Sequence, residues 1–76
     1  MKRARSEEAK EKRREKFLNA ALDEFYEKGF AAASMDDIAE RASLSKGTLY
    51  LYFTSKQDLF SALIKKLTQP NLDTIN

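Results

Sequence analysis

Residues 34–53 read SMDDIAERASLSKGTLYLYF and contain two short helical patterns separated by about three residues. Ser34 and Ser45, which are good N-cap residues, stand immediately before the two patterns. The first pattern has four apolar residues at helical spacing: Met35, Ile38, Ala39 and Ala42. The second places Leu49 and Phe53 one turn apart on its inward side. Two such short helices are unusual in a plain bundle and are what a helix-turn-helix motif requires; the alternative is an irregular loop in a four-helix protein.

The turn between the two patterns is Ser43-Leu44-Ser45. We expect Leu44 to be buried there, where it would clamp the two short helices at a steep angle. Asp37 follows Ser34 by three residues and forms a capping-box-like pair with it, with Asp in place of the usual Glu. The predicted interior of the motif consists of Ile38, Ala39, Leu44, Leu49 and Phe53.

A longer helix is predicted before the motif, from about Glu7 to Lys28, with Ser6 as its N-cap and Gly29 as its left-handed C-terminal stop. Its apolar residues form one broad stripe: Phe17, Leu18, Ala21, Leu22, Phe25 and Tyr26. The acidic residues off that stripe are interpreted as the solvated face of the helix: Asp23, Glu24 and Glu27.

A fourth helix is predicted after the motif, with Ser55 as its N-cap and Asp58 as the capping partner. Its apolar stripe comprises Leu59, Phe60, Leu63, Ile64 and Leu67. Pro70 is expected to end this helix or to break it near Gln69. Every segment is therefore helical, and the predicted fold class is all-α: a three-helix helix-turn-helix bundle plus the start of a fourth, connecting helix.

The composition of the 76 residues excludes several classes of protein. The chain has no Cys and no His, which removes Cys- or His-rich zinc sites, nucleophiles that need a His partner and a His general base. A chain this short has little room for a pocket, and no pair of carboxylates has a context for acid–base work. We therefore expect no enzyme activity, no cofactor and no metal. No apolar run approaches the ~20 residues that cross a bilayer, so no membrane partner is expected.

Charge is distributed unevenly along the chain. Residues 1–16 carry eight basic and four acidic residues, a net charge of +4, whereas residues 17–76 carry a net charge of −2. A basic end on a slightly acidic body suggests a polyanion partner that is touched by the N-terminal arm. A solvated helix start that keeps the chain soluble is the alternative.

The exposed first turn of the third helix comprises Ser45, Lys46, Gly47 and Thr48. Lys46 can donate to guanine acceptors or to a phosphate, and Thr48 can bond a base or touch a thymine methyl group. Glycine inside a helix costs about 1 kcal/mol relative to alanine. Close approach of the backbone to a groove of DNA would compensate for that cost at Gly47, and neutral drift at an exposed position is the alternative.

Three more residues could reach phosphates. The phenol groups of Tyr50 and Tyr52 could do so while their rings pack on the domain, although packing alone would also explain both. Lys56 stands in the first turn of the fourth helix, where a positive charge opposes the helix dipole. A nearby phosphate would explain that choice, and an ordinary surface lysine is the alternative.

The sequence from Ser34 to Leu59 resembles the DNA-binding signature of the TetR family of bacterial transcriptional repressors. The matching residues keep a fixed spacing: Ile38, Ala39, Ala42, Leu44, Ser45, Gly47, Tyr50, Tyr52, Phe53, Lys56 and Leu59. Upstream, Ala20, Ala21, Phe25, Gly29 and Phe30 are similar to the first helix of that family. The resemblance covers the chain from about Glu11 to its end.

The resemblance implies base contacts from Lys46, Gly47 and Thr48. It implies phosphate contacts from Ser45, Tyr50, Tyr52 and Lys56. It also implies a DNA-binding domain over residues 11–71, after a basic arm and helix start in residues 1–10. Residues 72–76 would then begin a missing C-terminal domain for ligand binding and dimerisation. Ser43 stands where the family usually has Gly, and serine in a left-handed turn position would carry strain.

The predicted function is sequence-specific binding of double-stranded DNA, by the head of a TetR-type repressor that acts in the bacterial cytoplasm at the nucleoid. In the full-length protein we expect a homodimer, formed through the missing domain, on a palindromic operator. A small helical protein-interaction module is the alternative. DNA binding would weaken steeply with salt because counterions are released, whereas an apolar interface would not.

Overall fold

A computed structural model describes residues 2–68, with side chains from Glu8 onward. That range contains four helices and no strand: α1 (Lys2–Lys28), α2 (Met35–Ala42), α3 (Lys46–Tyr52) and α4 (Lys56–Thr68). The predicted all-α class is confirmed. Helix α1 packs against α2 and α4, and α2 packs against α3. The predicted end of α4 near Gln69 and Pro70, and the predicted segment 72–76, lie outside the described residues.

The first helix begins earlier than predicted, because α1 starts at Lys2 and Ser6 therefore lies inside it. The prediction of Ser6 as an N-cap is wrong. Residues 2–16 consist almost entirely of Lys, Arg, Glu and Ala, which are strong helix formers, and one serine among them costs too little to delay the helix. The predicted stop at Gly29 is confirmed: its φ is +86°, and its N–H donates to the carbonyl of Phe25 at 2.8 Å.

The two short helices begin at the predicted caps. The hydroxyl of Ser34 accepts a hydrogen bond from the backbone N–H of Asp37 at 3.0 Å. The hydroxyl of Ser45 accepts one from the N–H of Thr48 at 3.1 Å. Each bond satisfies a donor that has no partner within its own helix, so the sequence specifies locally where α2 and α3 start.

The turn between α2 and α3 has the left-handed residue that was predicted. Ser43 has φ 61° and ψ 35°. Its N–H donates to the carbonyl of Glu40 at 3.0 Å, and the N–H of Leu44 donates to that of Ala39 at 3.1 Å. This Schellman arrangement closes α2 and turns the chain into α3.

The fourth helix begins at the predicted cap as well. The N–H of Asp58 donates to the hydroxyl of Ser55 at 3.2 Å. In return, the Asp58 carboxylate accepts from the N–H of Thr54 at 2.9 Å, one residue before the predicted partner. These two bonds, which join Asp58 to Ser55 and to Thr54, fix the approach of the chain to α4.

One core joins all four helices. It comprises Phe17, Leu18, Ala20, Ala21, Ile38, Ala39, Ala42, Leu49, Phe53, Leu59 and Leu63. Of the residues predicted to form the interior of the motif, only Leu44 is half-buried, and it packs against this core. The predicted stripe of α1 is too broad, since Leu22 is 40% exposed and Tyr26 is 89% exposed. Helices α2 and α4 cover a strip of α1 that is narrower than the predicted apolar stripe.

Glu24 is fully buried, which contradicts its predicted place on a solvated face; Asp23 and Glu27 are exposed. The Glu24 carboxylate accepts from Nε of Arg41 at 2.8 Å and lies 3.2 Å from Nζ of Lys28. Because Arg41 belongs to α2, this contact ties α2 to α1.

Each of the two cations also holds a second carboxylate. Arg41 donates to Glu27, and Lys28 donates to Asp37 at 2.7 Å. Hydrogen bonds to carboxylates raise the pKa of Lys28 and of Arg41, and the bond from Lys28 lowers the pKa of Asp37. Lys28, Arg41 and Asp37 are thus held in their charged forms, and the contacts of Arg41 and Lys28 between the two helices fix the orientation of α2, from which α3 extends.

Candidate nucleic-acid interface

Helix α3 is presented at the surface with one side anchored in the core. Leu49 has no exposed area and Phe53, its C-cap, is 3% exposed. The other side comprises Lys46, Gly47, Tyr50 and Leu51, all of which are exposed. Such an arrangement leaves a short, rigidly mounted helix free to contact a groove.

The hydroxyls at the start of α3 contact each other. Oγ of Ser45 and Oγ1 of Thr48 lie 2.8 Å apart, and the same Ser45 oxygen caps the Thr48 N–H. Thr48 is half-buried, whereas Ser45 is exposed. The pair therefore stabilises the first turn in the free protein, and whichever hydroxyl accepts keeps its own proton free to donate to another group.

Lys46 is exposed and forms an ion pair. Its Nζ lies 2.7 Å from Oδ1 of Asp36, in the first turn of α2. The hydrogen bond with Asp36 raises the pKa of Lys46, so its ammonium stays charged at neutral pH. A surface pair of this kind contributes little to stability, and Lys46 can exchange Asp36 for another acceptor at small cost.

Gly47 is not required by the packing of the free protein. A Cβ atom at this position would meet only Oγ of Ser45, at 3.9 Å, which is an ordinary van der Waals distance. The backbone of α3 is thus bare and exposed here, and the packing of the described residues does not explain the choice of glycine.

The two tyrosines predicted to reach phosphates differ in their surroundings. Tyr50 is 45% exposed. Tyr52 is half-buried: its ring packs on that of Phe17 with centroids 5.7 Å apart, and its hydroxyl accepts from Nε of Arg13 at 3.0 Å. An accepting phenol keeps its own proton free to donate. The sequence interpretation counted Arg13 only as part of the basic N-terminal end and missed its contact with Tyr52, although Arg13 lies one turn before Phe17 on α1.

Lys56 has partners inside the protein. Its Nζ donates to the carbonyls of Phe30 at 2.7 Å and Ala31 at 3.2 Å and lies 4.7 Å from the centroid of the Phe30 ring. These contacts explain a cation in the first turn of α4 without a phosphate. They lie in the turn that follows α1, and contact of Lys56 with a phosphate stays a prediction.

Two further findings concern the described part of the chain. In residues 2–68, no group of three or more Cys, His, Asp or Glu is arranged to hold a metal ion. Within the same range, no helix combines the length and the apolar character needed to cross a membrane.

The helices that carry this candidate interface match known proteins. The family described as "Bacterial regulatory proteins, tetR family" matches residues 17–63, from the core of α1 to the buried part of α4. The uncharacterized HTH-type transcriptional regulator YvdT of Bacillus subtilis is 44% identical over 61 residues, which are 80% of this chain and 31% of that protein. The HTH-type transcriptional activator FasR of Mycolicibacterium smegmatis is 42% identical over 57 residues, 75% of this chain and 26% of that protein.

Solved structures agree with the sequence relatives. A TetR-like transcriptional regulator from Rhodococcus is 48% identical, with a TM-score of 0.69 over 71% of this chain and 30% of its own. A putative tetR-family transcriptional regulator from Mesorhizobium loti is 34% identical, with a TM-score of 0.71 over 74% of this chain and 28% of its own. The chain thus spans about a third or less of the length of these proteins.

Proposed function

The chain belongs to the tetR family of bacterial regulatory proteins, and from that premise we propose that it binds double-stranded DNA sequence-specifically, as the DNA-binding part of a transcription regulator. The single observation that carries this proposal is the mounting of α3. Leu49 and Phe53 fix one side of that helix in the core, while Lys46, Gly47 and Tyr50 are exposed on the other. A helix held in this way can enter the major groove, as the second helix of the motif does.

Base readout is assigned to the start of α3. Lys46 donates to guanine acceptors after leaving Asp36, Thr48 bonds a base or touches a thymine methyl, and Gly47 allows the backbone to come close to the base edges. These contacts give specificity because the major groove presents a distinct pattern of donors and acceptors for each base pair.

Phosphate contacts are assigned around the base-reading turn, to Ser45, Tyr50, Tyr52 and Lys56. Arg13 joins them, since its bond to the Tyr52 hydroxyl leaves both the guanidinium Nη groups and the phenol proton available. The net charge of +4 in residues 1–16 provides attraction to the phosphate backbone that does not depend on sequence.

We further propose that the functional unit in the cell is a homodimer on a palindromic operator in the bacterial cytoplasm, with dimer contacts outside these 76 residues. The α4 side chains Phe60, Ile64 and Leu67 are exposed, but this stripe is only about two turns long and is too small for a stable dimer seam. The 76-residue chain should therefore be a monomer at micromolar concentration and should bind a half-site weakly. Because FasR is named an activator, the sign of regulation is left open between repression and activation.

Selection of bound duplexes from a random DNA pool tests the proposal. We expect one enriched sequence whose affinity falls steeply with ionic strength. Lys46→Ala should weaken binding to the enriched duplex more than to random duplex, whereas Lys65→Ala, which removes an exposed cation of α4, should not. If no duplex is enriched and the chain instead binds a protein with an affinity that does not depend on salt, the proposal is overturned in favour of a protein-interaction module.

The same duplex tests the dimer proposal. Joining two copies of the chain by a flexible linker that spans two half-sites should tighten binding by about a hundredfold or more, because the second contact becomes intramolecular. Sedimentation of the free chain accompanies the titration. A stable dimer of the 76-residue chain, or no gain from linking, would contradict this part of the proposal.

A further inference from the structure

Leu51 is the large apolar side chain that α3 leaves in solvent. It is 82% exposed, whereas Leu49, two residues earlier, has no exposed area. The sequence interpretation assigned no role to Leu51. A single exposed leucine needs no explanation by itself, so its position relative to the rest of α3 decides whether it has a function.

That position lies on the side of α3 that faces away from its buried residues. Successive residues of an α-helix turn by about 100°. Gly47 and Leu51, which are four residues apart, therefore share one side of the helix, and Leu49 and Phe53 share the opposite side. Because Gly47 has no side chain, Leu51 projects beyond the bare backbone of the preceding turn.

The surroundings of Leu51 are cationic and polar. Together with Lys10, Arg13 and Tyr52 it lines an open cleft of about 370 Å³ between the first half of α1 and the end of α3. An apolar protein surface placed here would desolvate two cations without compensation. A nucleic acid would instead bring its phosphates to Lys10 and Arg13 while the apolar tip of Leu51 enters the groove.

Thymine offers the matching group on the base edges. Its C5-methyl is the apolar feature of the major groove, and side chains that cannot form hydrogen bonds recognise it by contact. We infer that Leu51 is a specificity-determining residue that contacts the 5-methyl group of a thymine. Leu51 lies one turn of α3 after the base-reading turn at Lys46–Thr48, and the inference rests on the proposed DNA-binding function.

The test removes the methyl group from the DNA instead of altering the protein alone. In the enriched duplex, each thymine is replaced in turn by deoxyuridine, which keeps every hydrogen-bonding group. At one position, replacement of thymine by deoxyuridine should weaken binding of the duplex about fourfold, which corresponds to the loss of one buried methyl group. Leu51→Ala should lose a similar factor on the thymine duplex and should no longer distinguish thymine from uracil at that position.

Ile64→Ala is the matched control, because it truncates an exposed aliphatic residue of α4. It should keep the full discrimination between thymine and uracil. Alanine is a good helix former, and thermal melting checks that both variants are folded. The inference is overturned if Leu51→Ala and the unmodified chain respond identically to deoxyuridine at every thymine. It is also overturned if sedimentation shows that the unmodified chain self-associates and that Leu51→Ala abolishes this self-association, because Leu51 would then be a protein contact. Either result leaves the proposed DNA binding standing, whereas the absence of any enriched duplex would remove that function itself.

Discussion

The ammonium group of Lys46 lies 2.7 Å from Oδ1 of Asp36, so the proposed base-reading cation of α3 is held by the first turn of α2 in the free protein. In the proposed complex, a guanine replaces Asp36 as the acceptor of Lys46. Asp36 would then lie close to the negatively charged groove. This carboxylate is therefore an internal competitor of DNA for Lys46.

Replacement of the competitor should tighten binding. Asp36→Asn should strengthen binding to the enriched duplex by about twofold to fivefold, the value of an exposed ion pair, and most at low salt. Asp36 also stands at the positive end of α2, so its loss should cost a few tenths of a kcal/mol of stability. Binding isotherms at two salt concentrations measure the first effect, and thermal melting measures the second.

Asp23→Asn is the matched control, since it removes an exposed acid from α1. If Asp36→Asn tightens binding no more than this control, Lys46 does not leave Asp36 for DNA. The gain should also disappear in a Lys46→Ala background.

The two glycines should respond to alanine in opposite ways. Gly47→Ala should raise the free energy of unfolding by about 1 kcal/mol through helix propensity, because the added Cβ lies 3.9 Å from its nearest neighbour. It should nevertheless weaken binding to the enriched duplex. Gly29→Ala should lower stability by about 1 kcal/mol or more, because φ is +86° there, and should leave the affinity of the folded protein unchanged. Unaltered DNA affinity in Gly47→Ala would show that the backbone does not approach the groove.

Ser43 carries strain that glycine would relieve. Its φ of 61° lies in the left-handed region. Ser43→Gly should therefore stabilise the domain by up to about 1 kcal/mol, less the extra entropy of glycine in the unfolded chain. Chemical denaturation at equilibrium measures the difference. A clear loss of stability would mean that the serine hydroxyl contributes a hydrogen bond that matters more than the strain.

Glu24 should matter more for stability than its sequence neighbours. Glu24→Ala removes a buried carboxylate that bonds Arg41 at 2.8 Å, and we expect a loss on the order of 1–3 kcal/mol, typical of hydrogen bonds to charged groups. The loss stays moderate because Arg41 and Lys28 keep Glu27 and Asp37 as partners. Glu27→Ala, at an exposed position, should cost about 0.5 kcal/mol or less. Equal losses in the two variants would contradict a special role for the buried acid.

The local features of this fold were predictable from sequence, and the long-range ones were not. The caps at Ser34, Ser45 and Ser55 depend on neighbours within a few residues, so the sequence pattern alone indicates them, whereas the left-handed Ser43 was predicted from the resemblance to the family. Leu51 could have been recognised in the same way, because helical spacing alone places it beside Gly47 and opposite Leu49.

Three other contacts had no local signal. Arg41 bonds Glu24 across 17 residues, Lys56 bonds the carbonyl of Phe30 across 26, and Arg13 bonds Tyr52 across 39. In each case the type of residue is compatible with an ordinary surface position, and only the packing of one helix on another brings the partners together. Glu24 is buried because α2 packs over it, and the pattern of α1 shows its neighbour Lys28 but not Arg41, its partner on α2.

Chemical-shift mapping of the backbone amides tests most directly whether α3 is the surface that contacts DNA. The labelled 76-residue chain would be titrated with the enriched duplex, with random duplex as the control. We predict that the largest changes specific to the enriched duplex occur at Lys46, Gly47 and Tyr50, with small changes at Ile64 and Leu67 on α4. Changes that are concentrated on the exposed stripe of α4, with the amides of α3 unaffected, would contradict DNA recognition by α3.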